Sequence, residues 1–277
     1  MIEEKGFREP AVAGAFYPGR PDVLRRRVEA FLEGGPTLND PGPVGLICPH
    51  AGYDYSGATA GLAYRELRNR PPEAVVVLGP SHRDLFRGPT YWPGAGYRTP
   101  LGDAPQPLDL AAALANAGVG IHPDVLGHRD EHSVEVQIPF LQTIAPNAPI
   151  LPLVLAEDRT DRCRRIGEAL ALAIGERRIL LVASSDLYHG ESREACRETD
   201  DRTLGALQRN DPDELAEGFA SGRFQACGRG PILAVLEACR LRGAAKTRLL
   251  ARTNSDEAAG RIGGYVVGYG ALAVVAG

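Results

Sequence analysis

Four runs of almost unbroken apolar residues stand out along the chain: Val44 to Cys48, Ala74 to Leu78, Ile150 to Leu155 and Ile179 to Ala183. Runs that short, with no polar alternation, are expected of strands covered on both faces. Between them apolar positions recur at helical spacing over Gly57 to Leu67, Leu108 to Ala117, Ser133 to Ile144 and Arg159 to Ile174. Ahead of the first run, Val23, Leu24, Val28, Phe31 and Leu32 share one helical face of Pro21 to Glu33, and Gly34-Gly35 marks its stop. Strands alternating with helices predict an α/β fold of three layers, α/β/α, around a central sheet that is mostly parallel or mixed.

The final third predicts helices over Asp211 to Ala220 and Pro231 to Leu241, a strand over Thr247 to Ala251, and a glycine-rich apolar end. That end, Ile262 to Ala276, carries Gly263, Gly264, Gly268 and Gly270 and falls short of the roughly 20 apolar residues of a spanning helix, so it reads as a buried strand. The stretch from Arg83 to Gln106 is rich in proline and glycine and is a candidate pocket wall or lid. With no internal repeat and no low-complexity linker, residues 1–277 read as a single domain.

Composition narrows the function classes. A hydrophobic fraction of 44% and a charged fraction of 24% suit a globular chain with a large core, and a net charge of −4 without a basic block argues against a nucleic-acid partner. The opening MIEEKGFREP is acidic and polar where a secretory signal needs a basic start and an apolar centre. Five cysteines without a CxxC pair oppose a disulfide framework or a zinc ribbon. Together these features lead to the expectation of a cytoplasmic protein with no membrane partner.

Three of the six histidines follow apolar runs. GLICPH ends at His50, AVVVLGPSH ends at His82, and ILLVASSDLYH carries Asp186 and His189 just past its run. In an open α/β sheet the loops after the carboxyl ends of the strands converge on one edge, where ligands bind. Imidazoles meeting there with a carboxylate point to a metal or acid–base site. His122, His128 and His132 lie together in HPDVLGHRDEHSVE, which is not the HExxH metalloprotease signature. With Glu131 and Glu135 this segment is expected to supply supporting or substrate contacts. Cys227 sits in QACGRGP ahead of a helix, where the positive helix end favours a thiolate, while a purely structural thiol is the other reading.

These residues fall in AGAFYPG (Ala13 to Gly19), PHAGYDYSG (Pro49 to Gly57), LGPSH (Leu78 to His82), EHSVEVQIPF (Glu131 to Phe140), SSDLYHG (Ser184 to Gly190) and CGRGPI (Cys227 to Ile232). In these segments the chain resembles the Memo family, protein B of the AmmeMemoRadiSam system. The resemblance implies a fold like that of class III extradiol dioxygenases, with His50, His82 and Cys227 as metal ligands. It implies Asp186 and His189 beside these ligands and Phe16 and Tyr55 in an aromatic pocket wall; Asp186 and His189 are then the expected catalytic pair, and Phe16, Tyr55, Glu131 and His132 the expected substrate contacts. It also implies a functional link to a radical SAM protein and an AMMECR-like protein. A thiolate in place of an oxygenase carboxylate changes the metal preference, toward copper(I), zinc or thiolate-tolerant iron.

The expected function is therefore that of a redox enzyme dependent on non-heme iron(II), or on copper or zinc, in which His189, oriented by Asp186, moves a proton on an unidentified substrate. The alternative is a non-catalytic module that binds a peptide or small molecule in the same pocket. A zinc hydrolase is a third reading, for which an HExxH or HxHxDH motif is missing.

Overall fold

A computed structural model of the chain describes residues 6–38, 42–244, 246–260 and 264–276. Four strands, Gly45–Cys48, Ile179–Ser184, Ala74–Pro80 and Ile150–Leu155, lie side by side in that order and all run parallel. They are the four apolar runs of the sequence, and every residue in them is buried. The sheet is mixed at its margins. Val266–Val275 pairs antiparallel with Gly45–Cys48 and carries Lys246–Asn254 and the short His189–Gly190 strand on its far side. At the other margin Thr90–Tyr91 pairs antiparallel with Ile150–Leu155, and His122–Pro123 follows it in parallel.

Alternate residues of the central strands serve two cores. Ile47, Val76, Leu78, Leu181 and Ala183 pack on one face with Leu110, Ile166, Leu170, Ile232 and Val235 of three helices. Leu46, Val75, Val77, Leu180 and Val182 pack on the other with Leu24, Val28, Ala60, Tyr64 and Phe140. Period-two alternation turns successive side chains to opposite faces, so a strand buried on both sides must be apolar throughout. The result is the three-layer α/β/α arrangement that the sequence predicts.

Differences from the sequence reading are local. The segment from Ser133 to Ile144 begins as a 3₁₀ turn, Glu135–Gln137, and becomes α-helical only at Ile138–Ile144, with Pro139 in its first turn. The helix after Cys227 starts at Arg229, two residues before Pro231. Arg83 to Gln106 is not a structureless lid. Gly96–Thr99 and Gly102–Pro105 form a hairpin, which pairs in parallel with Phe7–Arg8. The glycine-rich end is the strand Val266–Val275, and Ile262 and Gly263 lie outside the described residues. Among the described residues no helix is long and apolar enough to cross a membrane.

Candidate metal centre

Parallel pairing brings the carboxyl ends of the central strands to one edge. His50 lies two residues past Cys48, His82 two past Pro80, and Asp186 two past Ser184. The next turns are laced together: Ser185 N–H donates to Cys48 O at 2.8 Å and Ser81 N–H to Leu155 O at 2.8 Å. Against this edge packs the 131–133 turn. Ser133 Oγ donates to Pro80 O at 2.7 Å, and a Cβ on Gly79 would overlap Ser133 Oγ, so only glycine admits the turn this close.

The outcome is a cluster of three imidazoles. One ring nitrogen from each of His50, His82 and His132 lies within 4.8 Å of the other two. The ring centroids are 5.2 Å apart for His50 and His82, 5.4 Å for His50 and His132, and 4.7 Å for His82 and His132. His132, which the sequence reading grouped with substrate contacts, therefore stands among the metal-competent groups. His122 and His128 do not join them. His128 is fully buried in the core, with its Nδ1 2.6 Å from Tyr97 Oη, and burial holds it at about 3.

Two of the imidazoles, His50 and His82, have a hydrogen-bond partner at Nδ1. His82 Nδ1 lies 3.0 Å and His132 Nδ1 3.2 Å from the same atom, Glu131 Oε1. Glu131 also accepts the N–H groups of His82 at 2.5 Å and of His132 and Ser133 at 2.8 Å. Its carboxylate is 0% exposed and is surrounded by these donors, so in this structure it supports the histidines from within the protein. Burial opposes its ionisation, but these bonds and the charge of His82 outweigh burial and hold it at about 2. A carboxylate that only accepts places a proton on His82 Nδ1, so that the neutral ring keeps its lone pair on Nε2. His50 Nδ1 lies 3.0 Å from Ser184 Oγ. Burial, reinforced by the neighbouring imidazoles, lowers His50 well below the ordinary histidine value; burial also brings His132 to about 4, so both are neutral at neutral pH.

Asp186, His189 and Cys227 frame the cluster. Asp186 Oδ1 accepts the His50 N–H at 2.7 Å, and burial raises its carboxyl to about 7 against that bond. His189 is turned by another group than the sequence suggested. Its Nδ1 lies 3.0 Å from the carbonyl of Leu187, which can only accept, so the carbonyl rather than Asp186 sets its orientation. Cys227 Sγ lies 3.2 Å from His50 Nε2 and accepts the Asp186 N–H at 3.2 Å. The loop that carries it is pressed onto the strand end, where a Cβ on Gly228 would overlap the Ser184 carbonyl and Ser185. Burial, with the nearby Asp186 charge, pushes the Cys227 thiol up.

Beside the cluster opens a cavity of about 520 Å³. Phe16, Tyr55, Tyr265 and Tyr269 supply aromatic wall, and His132 and Asp186 bring the site's polar groups to it. Phe16 and Tyr55 were the aromatic residues singled out in the sequence; Phe16 packs on His132 with centroids 4.6 Å apart. Its loop is anchored by Glu135, which accepts the N–H groups of Ala11 at 2.9 Å and Val12 at 3.1 Å and pairs with buried Arg8. Arg8 in turn donates to the carbonyls of His128 and Glu131, each at 2.7 Å. No residue from Arg83 to Gln106 lines this cavity, so the long segment is not its wall.

Three clustered imidazoles and a thiol beside them fit a transition-metal ion: nitrogen and sulfur donors suit iron, copper and zinc, whereas magnesium and calcium require oxygen. Fold and site together define an α/β protein with a metal-competent histidine cluster at the carboxyl edge of its sheet. The family model for Memo-like proteins matches residues 8–273, and the chain belongs to that family. Similar curated proteins include MEMO1 family proteins of Nitrosopumilus maritimus, 34% identical over 96% of this chain and 98% of the relative, and of Methanocaldococcus jannaschii, 35% identical over 97% and 99%. A MEMO1 family protein of Thermotoga neapolitana is 34% identical over 92% and 95%. An uncharacterized protein from Escherichia coli K12 shares the fold, with a TM-score of 0.55 and 16% identity over 82% of this chain and 99% of that one.

Proposed function

We propose that this protein is a metal-dependent redox enzyme of the Memo family that uses iron(II) or copper. The observation that carries the reading is the convergence of His50, His82 and His132, with the Nδ1 atoms of His50 and His82 hydrogen-bonded, next to a cavity large enough for a small molecule. His50, His82 and His132 would hold the metal, with Cys227 as a further donor from its place 3.2 Å from His50 Nε2. When bound, such a metal supplies electron transfer or Lewis-acid polarisation at the cavity edge.

The chain's own residues supply the remaining parts. Glu131 and Ser184 orient the ligand imidazoles, and the aromatic walls exclude water from one side of a substrate. His189, with Nδ1 committed to Leu187 O, presents Nε2 for proton transfer, which is the acid–base role assigned to it here. Asp186, raised to about 7, is a second group able to hold or release a proton near neutrality. The test is metal content and oxygen consumption of anaerobically prepared protein supplied with iron(II) or copper(I) and phenolic or thiol reductants. Metal-dependent oxygen uptake supports the reading.

The second reading is a non-catalytic module in which the cavity binds a peptide or small molecule. Phe16, Tyr55, Tyr265 and Tyr269 around one pocket favour it, because aromatic side chains recognise ligands without chemistry. Saturable ligand binding with no oxygen uptake at full metal occupancy would select this module.

A further inference from the structure

We infer that Ser184, which no sequence motif marked as functional in its own right, is a positioning residue that sets the tautomer of His50, and that Gln137 and Tyr64 hold it in place from behind. The inference rests on the metal reading for its purpose but not for its geometry. Ser184 is 0% exposed and its hydroxyl has three neighbours: Ser133 O at 2.5 Å, Gln137 Nε2 at 2.8 Å and His50 Nδ1 at 3.0 Å.

A hydroxyl has one proton to donate and two lone pairs with which to accept. Ser133 O is a carbonyl and can only accept, so the single proton goes there. Gln137 must turn its NH₂ toward Ser184, because the same nitrogen lies 2.9 Å from Pro49 O, another carbonyl, while Oε1 accepts from Tyr64 Oη at 2.8 Å. One lone pair of Ser184 is thereby filled by Gln137. Only acceptance remains for the third neighbour, so His50 must carry its proton on Nδ1. Every group in the chain from Tyr64 to His50 then has a complementary partner, and no other assignment satisfies them all.

The consequence lies on the other side of the ring. Nε2 is left as a lone pair, aimed toward Cys227 Sγ at 3.2 Å, so the Cys227 proton rather than an imidazole proton occupies that contact in the metal-free protein. The remaining supports join at one residue: Ser133 gives its N–H to Glu131 and its carbonyl to Ser184, which links the anchor of His82 and His132 to that of His50. The tautomers that leave Nε2 as the lone pair of neutral His50 and His82 are set before any ion arrives.

The experiment is long-range ¹H–¹⁵N correlation of the histidine rings in protein stripped of metal with chelator, at a pH where His50 is neutral. Wild type should show His50 as Nδ1–H. Ser184→Ala should move His50 to Nε2–H or to a mixture, with His128 unchanged as an internal control, and Ser184→Thr should restore the wild-type pattern. Thr203→Ala, whose buried hydroxyl serves Thr199 O and Gln225 N–H away from the histidines, should leave His50 unchanged. Zinc affinity of Ser184→Ala should fall about tenfold. Nε2–H on His50 in wild type overturns the inference without any variant, and so does an unchanged tautomer in folded Ser184→Ala. A tautomer that shifts as stated in a protein that takes up no zinc would support the relay and remove the metal reading.

Discussion

Glu131 Oε1 stands 3.0 Å from His82 Nδ1 and 3.2 Å from His132 Nδ1, so one buried oxygen lies against both imidazoles that cluster with His50. Every group around that carboxylate is a donor. Glu131→Gln must therefore turn an NH₂ toward at least one N–H. The expected result is a metal affinity lower by about 10–100-fold, the usual cost of losing an outer-shell partner, in a protein that still folds. Competition titration with a chromophoric chelator measures it, and wild-type affinity in the variant would contradict the supporting role.

His132→Ala separates a ligand from a pocket wall. If His132 joins His50 and His82 on the ion, the variant loses metal affinity by more than tenfold, an expectation based on the loss of a direct donor. Were His132 only a stacking partner for Phe16, metal content measured by emission spectrometry would stay at the wild-type level.

The pH dependence of stability tests Asp186. Its folded value of about 7 lies above the ordinary carboxyl value of 3.8, so in that interval the folded state holds more protons than the unfolded chain. This group's contribution is present at low pH and lost as pH rises from about 4 to 7. His132 works in the opposite direction. Its folded value of about 4 lies below 6.5, so its contribution grows with pH across that window. Asp186→Asn keeps an oxygen for the His50 N–H and removes the first term, so metal-free variant should gain stability relative to wild type as pH rises from 5 to 8. Thermal melts in chelator across that range measure the difference, and a constant offset would show that Asp186 does not titrate there.

Much of this was legible in the sequence, and the reasons differ by element. The four parallel strands were readable because a strand buried on both faces has to be apolar at every position, as Ala74–Pro80 is. His50, His82 and Asp186 were readable because parallel strands place their following residues on one edge. His132 was harder to place: its approach depends on Gly79 admitting the 131–133 turn and on Arg8 gripping Glu131 O from a distant part of the chain. Ser184 and Gln137 fall inside the segments SSDLYHG and EHSVEVQIPF, but their role was not legible there, since a buried serine or glutamine acquires a direction only from the partners packed around it.

His189 should govern reactivity more than metal retention, because its Nδ1 is tied to Leu187 O and it lies outside the three-histidine group. His189→Ala is expected to keep its metal and to lose any oxygen-dependent turnover by about 10²-fold or more, the scale of a general acid–base group. Complete metal loss would make it a ligand instead.

The most direct test of the metal centre is the metal content of anaerobically reconstituted, desalted protein, compared with that of His50→Ala and His82→Ala. Wild type should hold about one iron, copper or zinc ion per chain, the stoichiometry of a single three- or four-donor site, and both variants should hold almost none while retaining the wild-type circular dichroism. Full occupancy in both variants, or none in wild type at saturating metal, would contradict the assignment of His50, His82 and His132 as a metal centre.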